Sequence, residues 1–381
     1  METKINRKIK LLILCDEIIQ TTAGSEQHIS FLQKNLPKNI YEIYFALLRN
    51  RGALPSNAFP MDPTILDFYS FKSPKQVIKA VKALRRILQE KKIEVLYTFF
   101  PDSELLGILT SKALSSCKLI VSRRNMGYAN SRHRRLRNCL TNLFVPFFIV
   151  NCQAIKKQLM KKELVAEKKI RVIYNPINQM RIDYGQNDAI DRKSLGILEN
   201  EFIIGIVANI RPVKDYETFI QAAKIVCDTI QNSKFLVVGS ETPEYKKQLD
   251  SLISQLGLDK TIIFTGPIEN PIPLIRLFHV GVLTSKSEGL SNTLIEYGAV
   301  GIPSVATDVG GSGEIITDGE TGYLVPPGSP KKLAQKIIEI LNNNRLRVKL
   351  GENARQHVMN KLNQNEIIRQ YQEFHRSVLL S

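Results

Sequence analysis

Apolar and polar positions alternate between two rhythms along this chain. Short unbroken runs of Ile, Val, Leu and Phe give way to longer stretches in which apolar residues return every three or four positions. The runs have the length of buried parallel strands and the stretches have the period of helices lying over them, so the pattern predicts repeated βα units and a mainly parallel sheet. In the first half, strands are expected at IKLLILC (9–15), YEIYFALL (41–48), IEVLYTFF (93–100), KLIVSRR (118–124) and FFIVNC (147–152), with helices over 25–36, 74–92, 102–114 and 153–162. The helix over 74–92 carries Val77, Val81, Leu84 and Leu88 on one face, which suits a helix covering a sheet better than one lying on a membrane.

The rhythm lapses at RVIYNPINQMRIDYGQNDAIDRK (171–193), a polar connection containing Pro and Asn, and restarts at EFIIGIVANI (201–210). Further strands are expected at 235–239, 262–266, 280–285 and 302–308. Helices are expected over 216–230 and 243–257, from about Ser291, and through the C-terminal stretch after a glycine cluster at 309–325. The expected architecture is α/β, with two doubly wound, Rossmann-like domains facing a cleft. In such sheets ligands sit beyond the C-terminal ends of the strands.

Size agrees with two cores, because 381 residues exceed the roughly 250 to 300 at which a single core stops growing. Hydrophobic residues make up 43% and charged residues 23%, the balance of a folded globular chain rather than a disordered one. Five cysteines without CxxC spacing fit a reducing compartment. The N-terminal LLILC is too short for a signal peptide and is closed by Asp16 and Glu17, and no run reaches the ~18 to 20 apolar residues of a membrane span.

Charge changes the picture more. The net charge is +17, yet residues 1–180 hold 31 basic against 13 acidic side chains and residues 181–381 hold 22 against 23. No acidic residue lies between Glu104 and Glu163, an interval that includes RRNMGYANSRHRRLRN (123–138) with six arginines. Such a field attracts polyanions, whether anionic lipid surfaces, phosphorylated lipids or nucleic acid; the plainer alternative is a solvated helix face that aids solubility.

The chemistry gathers in SKSEGLSNTLIEYG (285–298). A strand ends, Glu288 and Gly289 occupy a loop, and a helix opens at Ser291 and Asn292. Backbone N–H groups at Leu290, Ser291, Asn292 and Thr293, with the positive end of the helix, make an anion site suited to phosphate. Glu288 and Glu296 would repel that phosphate, so they are matched instead to hydroxyl groups on either side of it. A diphosphate with a ribose at one end and a transferable sugar at the other, a nucleotide sugar, satisfies both. The plainer alternative makes Glu288 an ordinary acid near a helix start and Glu296 a solvated helix residue. ANIRPVKD (208–215) adds Arg211 and Lys214 at another strand end, where cations would neutralise a diphosphate leaving group. Gly24 in TTAGSEQH would let backbone approach a phosphate, although a plain tight turn explains a single glycine better, and Gly266 in IIFTG follows a strand in position to pass beneath a base.

The run SKSEGLSNTLIEYGAVGIPSVATDVGGSGEIITDGETGYLV, the ANIRPVKD loop and IYNPI closely resemble the retaining family 4 glycosyltransferases of the GT-B fold, of the E-x7-E type. The likeness is densest over 170–330 and thinner over 1–169. It implies an acceptor-binding domain at 1–176, a nucleotide-sugar-binding domain at 177–365, and a helix over 366–381 returning to the first. It implies that Lys214 and the amides of Gly289 to Thr293 contact the diphosphate, that Glu296 holds the ribose, that Glu288 holds the transferred sugar, and that Gly24 approaches the phosphates. Closure about residues 174–180 would bring donor and acceptor together. Asn209 stands where the family carries an arginine, which Arg211 would replace, and Ser25 stands where it carries a second glycine. Its acceptor-side histidine has no clear counterpart, with Arg123, Arg124 and Asn125 nearby in sequence.

The resemblance implies a retaining, metal-independent hexosyltransferase that needs no cofactor beyond its nucleoside-diphosphate-sugar donor. No D-x-D motif or ligand-spaced His/Cys cluster points to a metal. The basic first half, with Arg132, Arg134 and Arg135 beside Arg123 to Asn125, suggests a lipid-linked or surface-polysaccharide acceptor, as in lipopolysaccharide assembly. It also suggests a cytoplasmic enzyme peripheral on the anionic inner face of a bacterial membrane, with no nucleic-acid partner. Two rivals are a GT-B protein that has lost catalysis and binds polyanions, and a GT-B nucleotide-sugar epimerase or phosphorylase.

Overall fold

A computed structural model describes residues 7–18, 24–50, 59–111, 117–127, 132–184 and 190–381. It divides into two compact units, one of residues 1–174 with 365–381 and one of residues 175–364.

The first unit is built as β1 (Ile9–Cys15), α1 (Gly24–Asn35), β2 (Tyr41–Leu47), β3 (Thr64–Ile65), α2 (Pro74–Glu90), β4 (Val95–Phe99), α3 (Pro101–Ser111), β5 (Lys118–Arg123), α4 (Arg132–Asn142), β6 (Phe147–Val150), α5 (Gln153–Lys162) and β7 (Ile170–Val172). Its strands form one sheet in the order β3-β2-β1-β4-β5-β6-β7, and every pairing is parallel. The central strands β1 and β4 are covered on both faces, which is why they read as nearly unbroken apolar runs. Helix α2 starts where Ser73 Oγ accepts the Gln76 N–H and Pro74 takes the first helical position. Its fully buried line is Ala80, Leu84 and Leu88; Val77 and Val81 are half-buried along its edge.

The second unit runs α6 (Gln179–Tyr184), β8 (Phe202–Val207), α7 (Tyr216–Thr229), β9 (Ser233–Val238), α8 (Pro243–Gln255), β10 (Ile262–Gly266), α9 (Ile272–Ile275), β11 (Val280–Leu283), α10 (Asn292–Ala299), β12 (Ser304–Thr307), α11 (Ser312–Ile315), β13 (Gly322–Val325), α12 (Pro330–Leu341) and α13 (Asn344–Lys361). Its parallel sheet has the order β10-β9-β8-β11-β12-β13. The final helix, α14 (Gln364–Leu380), sends Ile367, Tyr371 and Val378 into the core of the first unit. Both sheets are doubly wound, with the strand order reversing between β1 and β4 in one and between β8 and β11 in the other.

Several elements differ from the sequence expectation. The arginine-rich run is a helix, α4; IRV forms an edge strand, β7, rather than connection; TI adds the short edge strand β3; and the glycine cluster contains α11 and β13. The expected helix end at 112–114 lies outside the described residues.

Candidate functional site

The reversal between β8 and β11 in the second unit places two loops side by side. After β8 come Ala208 to Asp215, including a single 3-10 turn at Pro212–Lys214, and after β11 come Thr284 to Ser291. They are joined to each other directly. The Lys286 N–H donates to the Val213 carbonyl at 2.8 Å, and the Thr284 hydroxyl donates to the Lys214 carbonyl at 2.7 Å. The Lys214 ammonium donates to Glu288 Oε1, which also accepts from Ser285 Oγ at 2.5 Å. Lys286 reaches Asp215 at 3.3 Å, and Asp215 in turn accepts from Thr218 Oγ1 at 2.8 Å. Two loops contributed by neighbouring strands thus act as one rigid edge.

A third segment holds that edge from behind. Gly310 has φ +55°, and a Cβ on it would lie 1.8 Å from the Glu288 carbonyl oxygen, so no other residue brings its backbone this close. Beside it, the Gly311 N–H donates to the Gly289 carbonyl at 2.8 Å, and Thr307 Oγ1 donates to the Ser285 carbonyl at 2.7 Å.

Helix α10 begins at this edge because its cap and its buried face both fix it there. Ser291 Oγ accepts the Leu294 N–H, and the first carbonyl-to-amide bond of the helix joins Ser291 O to Ile295 N. The amides of Asn292 and Thr293 precede that bond, at the positive end of the helix. Thr293 Oγ1 donates to the Val207 carbonyl at 2.8 Å, and the Tyr297 hydroxyl accepts the Val207 N–H at 3.0 Å while donating to the Gly205 carbonyl at 3.2 Å. The helix N-terminus is therefore pinned to the end of β8. Asn292 Oδ1 accepts from Asn175 Nδ2 at 2.6 Å.

Glu296 lies on the inward side of α10, two turns past Glu288. Arg181 from α6 donates to Glu296 Oε1 at 2.9 Å, to the Glu269 carbonyl at 2.6 Å and to Asn270 Oδ1 at 3.2 Å. Burial raises the Glu296 pKa, and Arg181 opposes that rise. Sequence reasoning missed Arg181, which sits in the polar stretch taken as connection; its only signal was a lone cation among Asn and Asp.

The remaining expected donor residues occupy the neighbouring strand ends. Asn209 Oδ1 accepts from Ser240 Oγ at 2.8 Å and Ser240 N at 3.3 Å, tying the end of β8 to that of β9. Gly266 closes β10 with φ +74°, and its carbonyl accepts the Gly239 N–H at 3.0 Å. Arg211 is exposed at the head of the 3-10 turn.

In the first unit Gly24 is the exposed first residue of α1. Arg123 does not face an open basic surface, for it pairs with Glu104 at 2.7 Å and reaches Asn142 at 3.5 Å and Glu163 at 4.0 Å. Arg124 packs against Tyr371 and Tyr97, where burial pulls its pKa down. Asn125 and Arg135 are exposed; Arg132 and Arg134 begin α4, and their side chains lie outside the described residues. The reversal point of this sheet carries a carboxyl that sequence reasoning left unused. Asp16 accepts the N–H groups of Ser103 at 2.6 Å and Asp102 at 3.1 Å, and burial raises its pKa to about 6.

A cation, helix amides and two flanking carboxylates at a sheet's reversal point suit an anion that carries hydroxyl groups on both sides. Two family models together span most of the chain: Glycosyltransferase Family 4 matches residues 22–181, and Glycosyl transferases group 1 matches residues 187–357. The chain is a family 4 glycosyltransferase of the GT-B fold. Among its relatives, this glycosyltransferase is 26% identical over 386 residues to the N-acetyl-alpha-D-glucosaminyl L-malate synthase of Bacillus anthracis, covering 98% of each chain. It is 29% identical over 231 residues to the capsular polysaccharide biosynthesis glycosyltransferase CapM of Staphylococcus aureus, covering 60% of each. Its fold matches that of a glycosyltransferase from Rickettsia africae with a TM-score of 0.85 and 20% identity, over 98% of this chain and 99% of the other. It likewise matches Anabaena HepE in complex with UDP with a TM-score of 0.81 and 20% identity, over 97% and 100%. No helix among the described residues is long and apolar enough to cross a membrane.

Proposed function

We propose that this glycosyltransferase moves a sugar, with retention at the anomeric carbon, from a nucleoside-diphosphate sugar to a hydroxyl of a lipid-linked or surface-polysaccharide acceptor. The observation that carries the reading is the joined edge at β8 and β11, where Lys214 and the start of α10 stand together and Glu288 and Glu296 lie to either side. The diphosphate takes the amides of Gly289 to Thr293 and the Lys214 ammonium, with Arg211 as a further cation. Ribose hydroxyls donate to Glu296, displacing Arg181, and hydroxyls of the transferred sugar donate to Glu288. Structures of HepE with UDP and with UDP-glucose support a donor of this class.

In the reaction the bond from the anomeric carbon to the diphosphate oxygen breaks, and the acceptor oxygen bonds to the same face. The acceptor proton passes to the departing diphosphate. Charge grows on that diphosphate in the transition state, so a fixed ammonium and fixed amides lower the barrier without a divalent metal supplied by this chain. Capsular polysaccharide biosynthesis by CapM and the excess positive charge of residues 1–180 support a glycan acceptor at an anionic membrane, with the enzyme peripheral on its cytoplasmic face.

A panel of nucleotide sugars tests the reading. One donor should raise the melting temperature by mass action and be turned over with its anomeric configuration kept, as read by NMR of the product. Glu288→Gln should bind that donor and lower kcat at least about tenfold. The absence of both stabilisation and turnover across the panel, or an inverted product, removes the proposal.

A further inference from the structure

Each carboxylate that flanks the donor site is paired with a cation, Glu288 with Lys214 and Glu296 with Arg181. The two cations come from different places. Lys214 belongs to the loop assigned to the diphosphate and can stay there when a donor enters. Arg181 belongs to α6, in the segment that begins at Asn175, where the chain has just left the first unit. That segment is fastened along α10. Asn175 Nδ2 donates to Asn292 Oδ1 at 2.6 Å and Arg181 donates to Glu296 Oε1 at 2.9 Å, so it grips two residues one turn apart on the helix assigned to diphosphate and ribose.

Helix α6 has six residues, too few to stay helical in water unaided, so its order rests on what its side chains and carbonyls meet. Ile182 is buried, and its carbonyl accepts from Arg276 at 3.4 Å. Arg181 supplies a second anchor. Its guanidinium donates to Glu296, to the Glu269 carbonyl at 2.6 Å and to Asn270 Oδ1 at 3.2 Å, and its own carbonyl accepts from Asn270 Nδ2 at 3.4 Å. The Arg181 and Glu296 side chains are each only 15% exposed, so this charge-assisted bond holds more firmly than a surface ion pair. A ribose diol presents two O–H donors to the two oxygens of one carboxylate, and Oε1 is the oxygen that Arg181 fills. A ligand shifts a structure only through a contact that differs between its two states. Ribose has such a contact here, because it competes for the carboxylate that fastens α6.

We propose that Arg181 is a positioning residue that latches the segment joining the two units to Glu296, and that the ribose hydroxyls of a bound nucleotide open this latch and loosen α6. This rests on the assignment of Glu296 to ribose in the proposed function. The coupling is reciprocal: ribose frees the segment, and freeing the segment strengthens ribose binding. The test uses the full chain with the 5′-diphosphates of uridine, adenosine, guanosine and cytidine, each beside its 2′,3′-dideoxy form. In the wild type, hydrogen exchange over residues 175–184 should be faster with the ribose form of the diphosphate that binds than with its dideoxy form. By calorimetry, Arg181→Gln should raise the preference for the ribose form over the dideoxy form at least about fivefold, because the hydroxyls no longer displace an ion pair. Arg181→Lys, which keeps a cation for Glu296, should fall between the two. An arginine that only supports the fold would change both affinities alike when replaced. The latch is overturned if the ribose form leaves exchange over 175–184 no faster than the dideoxy form does, or if Arg181→Gln prefers ribose no more than the wild type. The exchange comparison needs the wild type alone, so it decides even where a variant does not fold. Dideoxy forms that bind the wild type and Arg181→Gln as tightly as the ribose forms do would remove the ribose assignment and the latch together. A ribose preference without the change in exchange removes the latch and leaves the proposed function standing, and binding of none of the diphosphates overturns both.

Discussion

Where a single atom has no room to be added, the site depends most sharply on one residue. Gly310 combines a left-handed backbone with a contact that leaves no space for a Cβ, and its neighbour there is the carbonyl of Glu288. Gly310→Ala is expected to destabilise the chain by about 2 to 4 kcal/mol and, by displacing the Glu288 loop, to lower kcat/KM at least about tenfold. Thermal melting and steady-state kinetics check it, and a variant that melts and turns over like the wild type would mean that this contact does not hold the loop. The sequence showed why Lys214, Glu288 and the start of α10 deserved notice, because local chemistry and strand ends are both written there. It was silent on Gly310 and Arg181, whose importance comes from what they meet in space. Gly310 looks like one more turn glycine, and Arg181 looks like one more polar residue between domains.

Elements were legible where one period dominated. The two series of parallel strands follow from long apolar runs, and α2, α5 and α8 from amphipathic stretches. Helix α4 was read as a charge run because its apolar side faces solvent and its buried side is asparagine, so the usual link between an apolar stripe and a core does not hold. The edge strands β3 and β7, of two and three residues, are too short to leave a pattern. Helix α14 carries a property that only packing reveals. His375 is fully buried, its Nδ1 lies 3.1 Å from the Tyr41 hydroxyl, and its ring packs near Tyr97, Tyr371 and Phe374. Burial lowers its pKa from the ordinary 6.5 to about 4. The unfolded chain therefore binds a proton that the folded chain refuses, and stability present above pH 6.5 is lost as pH falls towards 4. That gap is worth about 3 kcal/mol at its full extent. Denaturant melts of His375→Gln should lose less stability between pH 7 and pH 5 than the wild type does. Equal losses would assign the acid sensitivity elsewhere, with buried His28, whose pKa is also lowered, the first alternative.

At the scale of the whole molecule, the chain leaves the first unit after Tyr174 and returns to it at Asn365, so the core of the first unit draws on a segment that follows the whole of the second unit. Its core holds Ile367, Tyr371 and Val378 together with Leu11, Ile13, Tyr97 and Phe99, while His28 and Tyr41 find their hydrogen-bond partners at Tyr371 and His375. The core of the second unit, built from residues such as Ile204, Phe219, Phe235 and Ile337, draws nothing from that helix. Each large apolar side chain removed from a core costs about 1.5 to 3 kcal/mol in lost burial, and two buried polar groups would lose their partners as well. Against a domain stability of about 5 to 15 kcal/mol, the loss of residues 365–381 is enough to unfold the first unit. In hydrogen exchange read by mass spectrometry, a chain ending at Gln364 should lose protection across β1, β2 and β4 and keep it across β8, β9 and β11. It should still bind whichever nucleotide sugar the donor panel selects if the donor site lies in the second unit alone. Protection that persists in β1 and β2 would show that α14 caps a sheet already stable without it.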